Sequence, residues 1–138
     1  QRNQPRVATT SAASITAIPV VATLGWFLWE KGRRKTRSMP AGLQQQIQLP
    51  HTQQWALYHN AFSLCSKKIR VCLAEYDVPY ENNPIDLIET GRYQNISRTF
   101  LQVNPAATVP VLLHNGHPIY ESHEQLKYVS LRSGRTVI

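Results

Sequence analysis

Residues Asn104 to Val129 read NPAATVPVLLHNGHPIYESHEQLKYV. Val111-Leu112-Leu113 is apolar and β-prone, and His117-Pro118-Ile119-Tyr120 returns on the far side of Asn115-Gly116. Asn-Gly between two such runs is the strongest short-range hairpin signal, because both turn residues must take positive φ. Pro110 has no N–H to give to a ladder, which puts it at the strand's first residue or at an irregularity. A proline in that place is a candidate for a cis peptide. Glu121-Ser122 then opens a helix. The stretch predicts loop, strand, tight turn, strand and helix.

Working upstream, Trp55-Ala56-Leu57-Tyr58 reads as a short first strand, and His59 to Leu64 as the loop after it. Ser66 to Tyr76 sets Ile69, Val71, Cys72, Leu73 and Ala74 among Lys67, Lys68, Arg70 and Glu75, an amphipathic helix with one buried face. Asp77-Val78-Pro79 ends it. A second strand around Tyr80–Pro84 and a polar, partly helical stretch from Gly91 to Val103 complete a βαβαββα order. The fold class is mixed α/β (α+β), a parallel crossover followed by an antiparallel pair. Cys65 and Cys72 lie about 10 Å apart along such a helix. That separation is too long for a disulfide, so both are expected as free thiols. Five histidines show no metal spacing, and His114 and His117, flanking the turn, read as solvent-facing.

In order, LYHNAFSLCSKKIRVCLAE (57–75), NPAATVPVL (104–112), the Asn-Gly hairpin and Glu-Ser at a helix start resemble the N-terminal, thioredoxin-like domain of glutathione transferases. The likeness extends from Trp55 to Val129 and is closest to the serine and cysteine classes. It implies glutathione as the ligand. Ser63 stands at the family's catalytic serine or cysteine, where its hydroxyl would favour the thiolate; equally, serine is a preferred helix N-cap. Val109, before Pro110, stands where the family's backbone pairs with the cysteinyl part. Glu121 stands where the γ-glutamyl ammonium is held, and Ser122 where its carboxylate is held. Helix capping alone also accounts for both residue types. Cys65 reads as packed, and Ser63 with Ser66 excludes a CxxC redox pair. Tyr58 reads as core. Glu124 and Gln125 depart from the family, standing where relatives place apolar residues. They either weaken the core or leave polar groups for a partner.

The net charge of +7 is uneven. Residues 1–40 hold seven basic residues and one acid, +6, whereas the rest holds eight basic and seven acidic, +1. The near-neutral folded part argues against nucleic-acid binding. Between Val7 and Trp29 no residue is charged. Ala12 to Trp29 would span about 27 Å as a helix, near a bilayer's hydrocarbon thickness. Trp26, Phe27 and Trp29 fit an aromatic belt, and Arg33 and Arg34 belong to the basic cluster that follows.

The expected organisation is an arm at 1–11, one transmembrane helix at 12–29 and a basic, Gln-rich linker at 30–54, which a partner would order. The thioredoxin-like domain follows at 55–130, with a tail at 131–138. Arg2, Arg6 and the early Ser and Thr resemble the end of an organelle transit sequence. This points to an organelle membrane, the mitochondrial inner membrane ahead of the thylakoid, with the domain on the matrix, stromal or cytosolic side. The family's helical second domain does not follow before Ile138. The expectation is therefore a non-catalytic accessory subunit of a membrane complex that retains the outline of a glutathione site. The alternative is the N-terminal part of a membrane-tethered glutathione transferase or peroxidase using Ser63. No metal is expected.

Overall fold

The computed structural model describes residues 12–33 and 35–134, and the chain divides after Lys35 into two units. The first is helix α1, Ala12–Arg33. Its Val20, Val21, Leu24, Trp26, Phe27, Leu28 and Trp29 are all exposed. The expected membrane anchor is not supported: among the described residues no helix is long and apolar enough to cross a membrane. Pro19 lies inside the helix and removes one of its N–H donors. Thr23 turns its hydroxyl onto the carbonyls of Pro19 and Val20, at 2.9 Å each. The expected arm at 1–11, Arg34 and the end of the tail at 135–138 lie outside the described residues, as does the side chain of Arg33.

The second unit holds a five-stranded sheet of order β1-β5-β4-β2-β3. The strands are β1 (Gly42–Leu43), β2 (Trp55–His59), β3 (Glu81–Pro84), β4 (Val111–His114) and β5 (His117–Tyr120). Helices α2 (Leu64–Glu75), α3 (Arg98–Val103) and α4 (Ser122–Ser133) cover it, with a 3₁₀ turn at Gln94–Ile96. From β2 onward the order is the expected βαβαββα. β3 lies parallel to β2, while β4 is antiparallel to both β2 and β5. Asn115 (φ 52°) and Gly116 (φ 81°) form the hairpin turn, both in the left-handed region as Asn-Gly demands.

Period-two alternation sorts the strands between two cores. Trp55, Leu57, Leu112 and Ile119 face α2 and α4, which meet them with Ile69, Leu73 and Val129. Ala56, Val111, Leu113 and Tyr120 face the other way, onto Phe100 and Val103 of α3.

The segment expected as a loose linker is a strap belonging to the domain. Residues 36–54 run along the β5 edge, and β1 pairs antiparallel with it, Gly42 against Tyr120 and Leu43 against Ile119. Met39, Ile47 and Leu49 pack on the α3-side core and Leu43 on the other. Arg37 N–H donates to Pro105 O (2.9 Å), Gln44 N–H to Pro118 O (2.9 Å) and Leu49 N–H to Gly116 O (2.8 Å). His117 donates through Nδ1 to Ile47 O at 2.8 Å, so it is not the solvent-facing residue expected. His114 is not one either. It stacks on Trp55, with ring centroids 4.1 Å apart, and its Nδ1 lies 2.8 Å from the Tyr128 hydroxyl.

At its far end the strap ties to β3. Thr52 gives its hydroxyl and its N–H to the Glu81 carboxylate, Asn83 adds a third bond, and together they hold the Glu81 pKa below the usual range. A carboxyl with a lowered folded pKa adds stability above its unfolded pKa, about 4.3, and loses it as pH falls through the folded value. Wild type is therefore expected to melt above Glu81→Gln at pH 7, with the gap closing as the buffer is taken to pH 3. Equal melting temperatures at pH 7 would show that Thr52 does not secure the strap.

Candidate functional site

Strand directions bring the chemically interesting residues together. The end of β2, the start of β4, the end of β5 and the end of β3 all fall at one end of the sheet. Ser63 follows β2, Val109-Pro110 precedes β4, and Glu121-Ser122 follows β5. Four residues singled out from sequence thus stand at one rim with Pro110 between them.

Ser63 is the N-cap of α2, and its hydroxyl oxygen accepts from Ser66 N–H at 3.2 Å. The capping role is therefore real, and the hydroxyl proton remains free for another acceptor. The α2 N-terminus adds partial positive charge there. The Val109–Pro110 peptide is cis. Val109 sits outside the ladder, which ends at the Tyr58–Val111 pair. Its neighbours' carbonyls are engaged, Thr108 O by Asn104 Nδ2 (2.8 Å) and Pro110 O by Gln125 Nε2 (2.9 Å). Among the described residues no hydrogen bond engages the Val109 main chain. Glu121 takes φ 68° and ψ 120° as the residue before α4, with no side-chain cap, and its side chain is exposed. A non-glycine residue at positive φ is a strained one, which places it among positions associated with function. Ser122 is buried at the first residue of α4.

Three residues of the site escape a reading by pattern. Asn60, buried, fastens the loop before α2. Its Oδ1 accepts from Phe62 N–H (2.9 Å) and Ser63 N–H (3.1 Å), and its Nδ2 donates to Ile85 O (2.9 Å) and to Glu89. Glu89 closes the facing loop by accepting also from the N–H groups of Leu87 (2.8 Å) and Ile88 (3.0 Å). The Asn60 bond, with the others, draws its pKa down to about 2. Between these loops lies a cleft of about 550 Å³ lined by Asn60, Phe62, Ser63, Leu87, Ile88 and Glu89. Gln125, the third, is fully buried, and its Nε2 bonds both Pro110 O and Ile119 O (2.8 Å). The departure expected to weaken the core or face a partner instead ties the Pro110 segment and β5 to α4.

Other expectations change too. Cys65 is exposed on the first turn of α2, not packed, because that turn's inner face is taken by Ser66. Both cysteines are free, and burial pushes the Cys72 thiol up. Tyr58 is half-buried against Phe100, and burial, with the Glu81 charge, raises its pKa. Its hydroxyl is thus kept protonated. Among the described residues no group of three or more His, Cys, Asp or Glu could hold a metal ion.

The family model of the glutathione S-transferase N-terminal domain matches residues 62–131, just over half of the chain. The chain belongs to the glutathione S-transferase family. It is 34% identical over 73 residues to a probable maleylacetoacetate isomerase 2 of Drosophila melanogaster, covering 53% of this chain and 32% of that protein. It is 38% identical over 68 residues to the probable glutathione S-transferase parC of Nicotiana tabacum, covering 49% and 28%. The chain thus spans about a third of the length of these relatives. Among solved structures, the apo form of human glutathione-S-transferase T1-1 superposes with a TM-score of 0.54 at 28% identity, over 59% of this chain and 33% of that one. Human glutathione transferase theta-2, in complex with glutathione and an unknown ligand, gives 0.53 at 25% identity over 58% and 32%. The strap lies outside the matched glutathione S-transferase region, an addition to the shared domain.

Proposed function

We propose that this domain binds glutathione along the rim of the sheet and activates its thiol through Ser63. The observation that carries the reading is the unengaged Val109 main chain, set between Ser63 on one side and Glu121-Ser122 on the other. Val109 would take the cysteinyl backbone in antiparallel fashion. Exposed Glu121 would take the γ-glutamyl ammonium, while Ser122 and the first amides of α4 would take its carboxylate. Glutathione supplies a thiol, and Ser63 would donate its free hydroxyl proton to the sulfur at the N-terminus of α2, which favours the thiolate. The glutathione found in the theta-2 relative supports the ligand class. The reaction class is attack of a thiolate on an electrophile, as in a transferase or peroxidase.

The test is a calorimetric titration of the whole chain with glutathione, followed by Ser63→Ala. The variant is expected to raise the pKa of the bound thiol, read by thiolate absorbance, and to lower any thiol-transfer rate about 10²-fold. Loss of the cap is expected to cost about 1 kcal/mol of stability. Absence of binding at millimolar glutathione would end the reading.

A second reading rests on a different observation, the exposed apolar side chains of α1. In it α1 lies against an organelle membrane or a subunit of a membrane complex, and the domain serves as an accessory subunit. Flotation with liposomes of the full chain, compared with Trp26→Ser/Phe27→Ser/Trp29→Ser, checks it; recovery of both proteins in the unbound fraction would argue against membrane attachment.

A further inference from the structure

Four strand ends follow one another along the rim. In sheet order, β5 brings Glu121-Ser122, β4 brings Val109, β2 brings Asn60 to Ser63, and β3 brings the loop Ile85 to Glu89. Neighbouring strands are about 4.8 Å apart, so the rim from β5 to β3 is about 14 Å long. An extended tripeptide covers about 10 Å. A ligand anchored over β5 therefore places its sulfur near Ser63 before reaching β3. Whatever is attached to that sulfur meets the cleft that Ser63 itself helps to line.

The chemistry of that cleft is lopsided. Phe62 and Ile88 are large apolar side chains, 74% and 72% exposed, and Leu87 extends their surface. Glu89 is the one charged residue of the six that line it. The neighbouring carboxylate, Asp86, is turned to the N–H and hydroxyl of Thr90. Glu89 accepts one bond from Asn60 and two from main-chain N–H groups. A carboxylate offers about four acceptor positions, so one stays open to the cleft. Asn60 and the loop's own amides fix it there without any cation.

We infer that this cleft selects a sulfur-borne group, or a second substrate, with an apolar body and a cationic end, Phe62, Leu87 and Ile88 holding the body and Glu89 the cation. The inference deepens the glutathione reading and rests on it for the position of the sulfur. An anionic end group meets Glu89 at the same place and is disfavoured.

The probes are three glutathione conjugates of matched length, carrying hexyl, 6-aminohexyl or 5-carboxypentyl on sulfur, titrated into the full chain and into Glu89→Gln. The amide keeps an acceptor for Asn60 and removes the charge. Wild type is expected to bind the amine about fivefold more tightly than the acid, the order of a partly screened charge contact. The gap is expected to narrow at high salt and to fall within about twofold in the variant. Equal binding of amine and acid to wild type, or a gap that survives in Glu89→Gln, overturns the assignment. A parallel titration with 4-phenylbutylamine and 4-phenylbutyrate separates the two readings. If no conjugate binds but the free amine does, and Glu89→Gln weakens it, the glutathione reading fails and the cleft assignment stands. If neither series binds, the cleft assignment fails as well.

Discussion

Asn60→Ala is expected to cost about 2–4 kcal/mol of stability and to disable the glutathione site together. Asn60 joins three segments that no other described side chain joins: the turn at Phe62-Ser63, the end of β3 at Ile85, and the Glu89 loop. Alanine leaves two amides and a carbonyl without this partner and a carboxylate without its donor. Water reaches the exposed Phe62 side and softens the penalty, whereas Ile85 O lies deeper. Ser63 then loses the bond that fixes its main chain, and the cleft between the loops loses its brace. Chemical denaturation measures the first effect and glutathione titration the second. Asn60→Asp is the discriminating partner, because it keeps the acceptor for Phe62 and Ser63 but sets a second carboxylate against Glu89. If Asn60→Ala melts with wild type and binds glutathione equally well, the loops are held by something other than this side chain.

The second large effect is expected from Gly116→Val, with a loss of about 3 kcal/mol and release of the strap. Two costs combine. At φ 81° a β-branched residue is strained in its own backbone. A Cβ there would also stand 2.7 Å from Leu49 O and from His51 Nδ1, and against the Gln48 side chain. The carbonyl belongs to the strap's backbone, and Leu49 N–H is bonded to Gly116 O, so the strap has to leave for the side chain to fit. Gly91→Val separates the two costs, since Gly91 has φ 72° with nothing within 4 Å of an added Cβ. Gly91→Val is expected to lose only the backbone share, about 1–2 kcal/mol, with the strap still protected. Hydrogen exchange at the Gln44 and Leu49 amides reads the strap directly. Unchanged protection in Gly116→Val would mean that the contact yields without releasing it.

The elements that local chemistry dictates were legible. Asn115-Gly116 announces its turn, alternation in Val111 to Tyr120 announces two strands, and Ile69 with Leu73 marks the buried face of α2. The strap was not legible, for a physical reason. Its apolar residues Met39, Leu43, Ile47 and Leu49 are sparse and fit neither period, because they fill gaps in two different cores. Its one strand is two residues long and owes its existence to β5. The misreadings of His114 and His117 share a cause: their partners, Trp55, Tyr128 and Ile47, are distant in sequence. At the site, motif position brought out Ser63, Val109, Pro110, Glu121 and Ser122. Asn60 and Glu89 belong to no motif, and their significance comes from bonds across 25 and 29 residues.

The strap also has a bearing on the order in which the molecule is completed. Gly42 precedes its partner Tyr120 by 78 positions (120 − 42), so a ribosome releases β1 long before there is an edge to receive it. Pairings of such sequence separation close late, after the loop entropy between them has been met by the rest of the fold. The first part of the domain to be made is thus the last to be seated. Until then the nascent sheet presents β5 with an open row of donors and acceptors, the kind of edge on which chains join one another. Docking of residues 36–54 ends that interval, and the chain carries the closure for its own sheet.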